Sequence, residues 1–237
     1  MSSHKTTNKN LTAEKLHERG WQLREKDRHL EALQYLDKAI VAYQKKGNYR
    51  GLVDALKDKC LTWKHLFLLS GDLAYATLAQ KDAEVMLVVA QTKNLKDKLH
   101  TSYFKLGEMV MLFKDYSSAI KHYNKALETY QGPLSEKGDY RCHLGEALYL
   151  NGQKSEGKGM IFQGIREIEQ GAEGVDLFLI NIWLSGAYIR LVELLREDEP
   201  KQALFYLDEA KKVIDSDKRL VIRKRQLEKL AQTIRIP

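Results

Sequence analysis

The sequence predicts an all-α fold, a solenoid of stacked antiparallel helix pairs, and three observations carry that prediction. First, five times a small residue is followed four residues later by a large apolar residue or Gln, and seven later by another small one. The runs are Ala32-Leu36-Ala39, Ala76-Gln80-Ala83, Ala119-Tyr123-Ala126, Gly157-Ile161-Gly164 and Ala203-Leu207-Ala210. Second, Gly20, Lys64, Gly107, Gly145 and Leu191 stand twelve residues ahead of these anchors, and three of the five are glycine. Third, a turn signal separates the two halves each time: Lys26-Asp27, Ser70-Gly71-Asp72, Lys114-Asp115, Asn151-Gly152 and Asp198-Glu199-Pro200. Self-similarity at a fixed spacing of this size marks a repeat architecture.

Each element follows from the same pattern. Small residues at i and i+7 share one helical face, with the large residue at i+4 between them, so a neighbouring helix can approach closely. The upstream glycine falls on the preceding helix and serves the same crossing. Asp72, Asp115 and Asp198 are expected N-caps, and Pro200 suits a first helical turn, where its missing N–H costs little. Three prolines and little β-branched alternation argue against sheet. The expected repeats run over 12–48, 49–94, 95–132, 133–171 and 172–216. A flexible tail, 1–11, is expected before the N-cap Thr12, and a basic amphipathic capping helix, 217–237, after the last repeat.

On these residues the chain resembles the tetratricopeptide repeat (TPR) family. The family pattern W-x2-L-G-x2-Y…A-x3-F-x2-A is matched best by Tyr103, Leu106, Gly107 and Val110, then Ala119, Tyr123 and Ala126. The first repeat matches through Leu16, Gly20, Leu23, Ala32, Leu36 and Ala39. The fourth matches through Leu144, Gly145, Leu148, Gly157, Ile161 and Gly164. Lys64 and Leu191 depart from the usual glycine, and the family's terminal proline is missing nearly everywhere. The resemblance implies a right-handed α-solenoid of about five helix pairs. Successive anchors lie 44, 43, 38 and 46 residues apart, against thirty-four in the family, so the helices should each be about a turn longer. Long repeats of this kind are similar to those of kinesin light chains and bacterial peptide-sensing regulators.

The resemblance also implies a binding face, made by the first helix of each pair. Carried over residue by residue, it comprises His17, Trp21 and Arg24 in repeat one and Asp58, Leu61, His65 and Leu68 in repeat two. Repeat three contributes Phe104, Lys105, Glu108 and Met111, repeat four His143, Glu146 and Tyr149, and repeat five Tyr188 and Val192. The Lys/Asn set with which chaperone-binding TPR domains clamp a terminal carboxylate is absent, only Lys105 being suitable. Counted along the whole face, Glu14, Glu18, Glu25, Asp58, Glu108, Asp139 and Glu146 outnumber Arg24, Lys105 and Arg196. That excess predicts a basic, amphipathic peptide or partner protein.

Other chemistry is argued against. Gly152-Gln153-Lys154-Ser155-Glu156-Gly157-Lys158-Gly159 approaches a phosphate-binding loop, but Gly159 stands where a hydroxyl must hold Mg²⁺, and no strand precedes it. The seven histidines show no clustered ligand spacing, and Cys142-His143 are neighbours about 100° apart on a helix, so neither a metal site nor a nucleophile pair is expected. No enzyme and no cofactor are predicted. Cys60 and Cys142 fall in different repeats and read as reduced thiols. With a polar N-terminus, they predict a cytoplasmic protein.

Val175–Leu195 is apolar enough to suggest a membrane span. It contains Asp176, Asn181, Arg190 and Glu193, and a mid-membrane charge costs about 2.5–3.5 kcal/mol, so a buried core helix is expected. From Lys211 onward, nine Lys/Arg face three acids, which accounts for six of the net charge of +7. The alternative to peptide binding is therefore a nucleic-acid-associated protein using this basic helix. A peptide-sensing regulator is a further alternative, although only about eleven residues precede the first repeat.

Overall fold

A computed structural model describes residues 11–233, and among them it has eleven helices and no strand. The chain divides into two compact units, up to Lys105 and from Leu106 onward. The first contains α1 (Ala13–Glu25), α2 (His29–Lys45), α3 (Tyr49–Ser70), α4 (Leu73–Thr92) and the start of α5 (Lys96–Met111). The second contains the end of α5, then α6 (Tyr116–Thr129), α7 (Leu134–Leu150), α8 (Lys154–Gln170), α9 (Leu177–Leu195), α10 (Pro200–Asp215) and α11 (Val221–Ala231). At 22 and 20 residues, α3 and α4 are the longest pair. Residues 1–10 of the expected tail, and Ile234 and Arg235 of the expected C-terminal helix, lie outside the described residues.

The turn residues read from sequence sit at the helix ends. Asp27, Gly71, Lys114 and Gly152 all have positive φ, the left-handed geometry that stops a helix and turns the chain. Thr12, Asp72 and Asp115 cap the next helix, each accepting a backbone N–H through its side chain. Asp198 does not. Glu199 occupies the cap position of α10, and Asp198 instead forms an ion pair with Lys154. Pro200, already in the first turn, lets α10 start without that bond.

The small-residue stripes are the helix crossings. Ala32, Leu36 and Ala39 are fully buried, as are Ala119, Tyr123 and Ala126. Closest of all is the α7–α8 crossing, where a methyl group built on Gly145 would stand 2.6 Å from the carbonyl oxygen of Gly157. Backbone touches backbone there, which only glycine permits.

The second unit has one continuous core, in which α9 is central. Ile180, Ala187, Leu191, Val192 and Leu195 are buried against residues of α7, α8, α10 and α11. Among the described residues, α9 is the one helix long and apolar enough to cross a membrane, and half of its apolar stretch is buried within the protein. Leu227 and Leu230 dock α11 on α9 and α10, whereas Val221 stays exposed.

Candidate ligand-binding face

In the first unit, an ion network fixes the facing sides of α1 and α3. The His17 ring lies 2.8 Å from Asp58 Oδ2, and Arg24 Nη1 donates to Asp58 Oδ1 at 2.7 Å. Arg24 Nε also donates to Glu25 at 3.1 Å, so the buried guanidinium is held from two sides. Burial works to raise the Asp58 carboxyl, but Arg24, the His17 hydrogen bond and Lys57 together hold it well below the usual carboxylate range. Trp21, between His17 and Arg24 on the same stripe of α1, is 41% exposed. Leu68 and Leu69 at the end of α3 are exposed too, and Leu61 is half-buried. His65 lies edge-on to His29 of α2, with ring centres 5.4 Å apart. Phe104 is buried, with the Lys105 ammonium 5.1 Å from its ring centre.

The second unit is organised around Arg190 of α9. Its Nε donates to Glu146 Oε2 at 2.8 Å, and its Nη2 makes a short contact to His143 Nε2. A guanidinium has only hydrogens to offer, so that ring nitrogen is the acceptor. The same Nη2 lies 3.2 Å from His143 Nδ1, which is itself 3.5 Å from the Tyr123 hydroxyl. Burial works against the charge on Arg190, but Glu146 and Asp139 raise its pKa above the ordinary arginine value. Glu108 is buried and Met111 half-buried at the end of α5.

Three residues expected on this face are elsewhere. Val192 is fully buried in the core. Tyr188 stacks on Tyr206 of α10, with ring centres 6.1 Å apart, on the side of α9 away from His143. Tyr149 is turned toward α8 and the α9–α10 turn, where it lines an open hollow of about 470 Å³ with Lys154, Phe162, Asp198 and Glu199. On α9, Gly186, Arg190 and Glu193, spaced four and three apart, share one side, and from it Arg190 meets His143 and Glu146. Arg223 of α11 joins them, its guanidinium lying over Gly186 beside that of Arg190.

Neither arginine entered the sequence-based charge count, so the acid excess was overstated in this unit. For Arg190 a signal was available, since an arginine within a largely apolar helix is costly to bury and must be used. Elsewhere on α11, Lys224, Arg225 and Lys229 are exposed. In the phosphate-loop-like segment, both lysines are engaged by carboxylates: Lys154 by Asp198, and Lys158 by Glu199 at 2.7 Å. Among the described residues, no group of three or more His, Cys, Asp or Glu is placed to hold a metal ion.

No family model matches the chain, and no curated protein matches it. Solved structures do. The Rap conjugation gene regulator of plasmid pLS20, in complex with the Phr* peptide, aligns at a TM-score of 0.64 and 15% identity over 96% of this chain. A Rap protein complexed with Competence and Sporulation Factor aligns at 0.61 and 13% over 94%. The chain spans 63% and 64% of the length of those two proteins. The TPR-like repeats of a putative kinesin light chain from Podosopora anserina align at 0.56 and 13%, covering 86% of this chain and 95% of that one. The fold is thus that of the TPR-like α-solenoids.

Proposed function

We propose that this protein is a non-catalytic, cytoplasmic repeat scaffold that binds a peptide or a segment of a partner protein on its odd-numbered helices. The observation that carries the proposal is Trp21, a large aromatic 41% exposed beside the fixed His17–Asp58–Arg24 network. An exposed aromatic next to pre-ordered polar groups is what a binding anchor requires, because little side-chain freedom remains to be lost. Fold-level similarity to two Rap proteins solved with bound ligands supports the same reading.

In the first unit, the partner is a basic, amphipathic segment. Its apolar side would meet Trp21, Leu68 and Leu69, and its cations the exposed Glu14 and Glu18 of α1. The acids speed encounter at low salt, and the aromatic slows departure. A peptide-array screen with the full chain tests this, followed by kinetics on the hits. Glu14→Lys with Glu18→Lys is expected to lower the on-rate, and Trp21→Ala to raise the off-rate by a factor equivalent to about 1 kcal/mol or more. A screen without hits, or hits indifferent to Trp21, would overturn the proposal.

A further inference from the structure

The two arginines over Gly186 stand in a different electrostatic position from every other cation described above. Arg190 is only 9% exposed; its Nε and Nη2 are engaged, but Nη1 is buried with no hydrogen-bond partner. Arg223 donates Nη1 to Gln226 at 2.9 Å, within its own helix. A methyl group built on Gly186 would stand 2.8 Å from Arg223 Nη2 and 3.2 Å from Arg190 Nη1. Two guanidinium groups from different helices therefore converge on the space that a missing side chain leaves.

The nearby acids do not resolve this convergence. Glu146 is bound to Arg190 Nε, and Asp139 lies 3.8 Å from the His143 ring. Glu108, Asp139 and Glu193 attract Arg223. Their attraction is insufficient: burial and the adjacent Arg190 together push the Arg223 pKa down to about 10. A buried N–H without a partner and a second cation beside it have one common remedy, an anion that accepts from both. The two guanidinium ends fill the space over Gly186 and lie side by side, an arrangement that suits a planar carboxylate taking one bond from each.

We propose that Arg190 and Arg223 form a carboxylate-binding subsite over Gly186, which takes an acidic side chain or the terminal carboxylate of a bound peptide. The proposal rests on the peptide-binding reading above and names a chemical group that the second unit recognises.

The test uses the full chain and two probes. Sodium acetate is titrated against sodium chloride at constant ionic strength, while the arginine Nε–Hε NMR signals are followed. Saturable shifts of the Arg190 and Arg223 signals with acetate, absent with chloride, are expected. No saturable shift, equal shifts with chloride, or a response to inorganic phosphate but not acetate would overturn the carboxylate assignment whether or not any peptide binds. Peptides found by array are then compared with their C-terminal amides and their Asp→Asn or Glu→Gln versions. One of these changes is expected to weaken binding at least about tenfold, and which one does so identifies the source of the carboxylate.

Arg223→Gln should abolish that difference. So should Gly186→Ala, whose methyl would displace two flexible side-chain ends while leaving a helix-favouring residue in α9. Both variants leave the Glu146 pair intact, so a folded protein is expected, verified by circular dichroism. Acidic peptides that bind both variants as well as the parent, or hits insensitive to neutralisation, would defeat the proposal.

Discussion

The two units handle buried charge in opposite ways. In the first, the buried Arg24 meets its complement on both sides: it lies between Asp58 and Glu25, and His17 takes the remaining side of Asp58. In the second, Arg190 is paired with Glu146 through Nε, but its Nη1 stays without a hydrogen-bond partner and a second cation, Arg223, stands beside it. A closed network is explained by folding alone. An open one costs stability that nothing inside the unit returns, and that is the pattern expected of a surface waiting for a ligand.

Five measurements would break or sharpen this contrast. Arg24→Ala should have the largest effect, about 3–5 kcal/mol in denaturant unfolding, because it strands Asp58 in a buried site. The same pair predicts an acid signature. The folded Asp58 pKa lies below the unfolded value of about 3.9. Its contribution is therefore complete above that value and is lost as pH falls toward the folded one. Asp58→Asn should flatten the acid limb of the stability profile, and an unchanged limb would remove Asp58 from the account.

Glycine replacements probe the crossings next. Gly157→Ala places a methyl 2.6 Å from the Gly145 carbonyl and 2.6 Å from the Tyr149 nitrogen, backbone atoms that cannot step aside. Gly20→Ala meets the Leu36 side chain at 2.7 Å, which can shift. Overpacking of about 1–3 kcal/mol is expected, with the second unit at the upper end and the first at the lower. The reverse order would show that helix spacing is set elsewhere.

Lys114→Gly should raise stability by about 0.5–1 kcal/mol, since Lys114 holds a left-handed φ of 61° that glycine adopts without strain. Smallest of all, Arg223→Gln should leave stability within about 0.5 kcal/mol or slightly raised, because folding disfavours that charge. A clear loss of melting temperature would mean that Arg223 is structural, and the contrast between the units would collapse.

How far the sequence could be read follows the same division. The crossings were legible because a small residue at i and i+7 is a demand of backbone distance, and few other arrangements produce it. The face of α1 and α3 was legible too: polar His17, Arg24 and Asp58 alternate there with buried Leu23 and Leu56, so the period of the helix shows. α9 defeated the reading. It is apolar almost all round, so hydrophobic period gives no phase, and Leu191 replaces the glycine that marks it in other repeats. A slip of one or two residues placed Tyr188 and Val192 on the face and left Gly186 and Arg190 off it. Arg223 was hidden for another reason. It lies within a basic run whose other members, such as Lys224 and Lys229, remain in solvent.

The same all-round apolarity of α9 has a consequence for biosynthesis. A growing chain exposes α9 before α10 and α11 have emerged to cover it, so the helix destined for the centre of the core spends that interval with one side uncovered. Leu191 and Leu195 wait on Ala203, Ile214, Leu227 and Leu230, all of which leave the ribosome after them. Yield of native protein should therefore depend on how quickly α10 and α11 follow α9, more than on any property of the first unit.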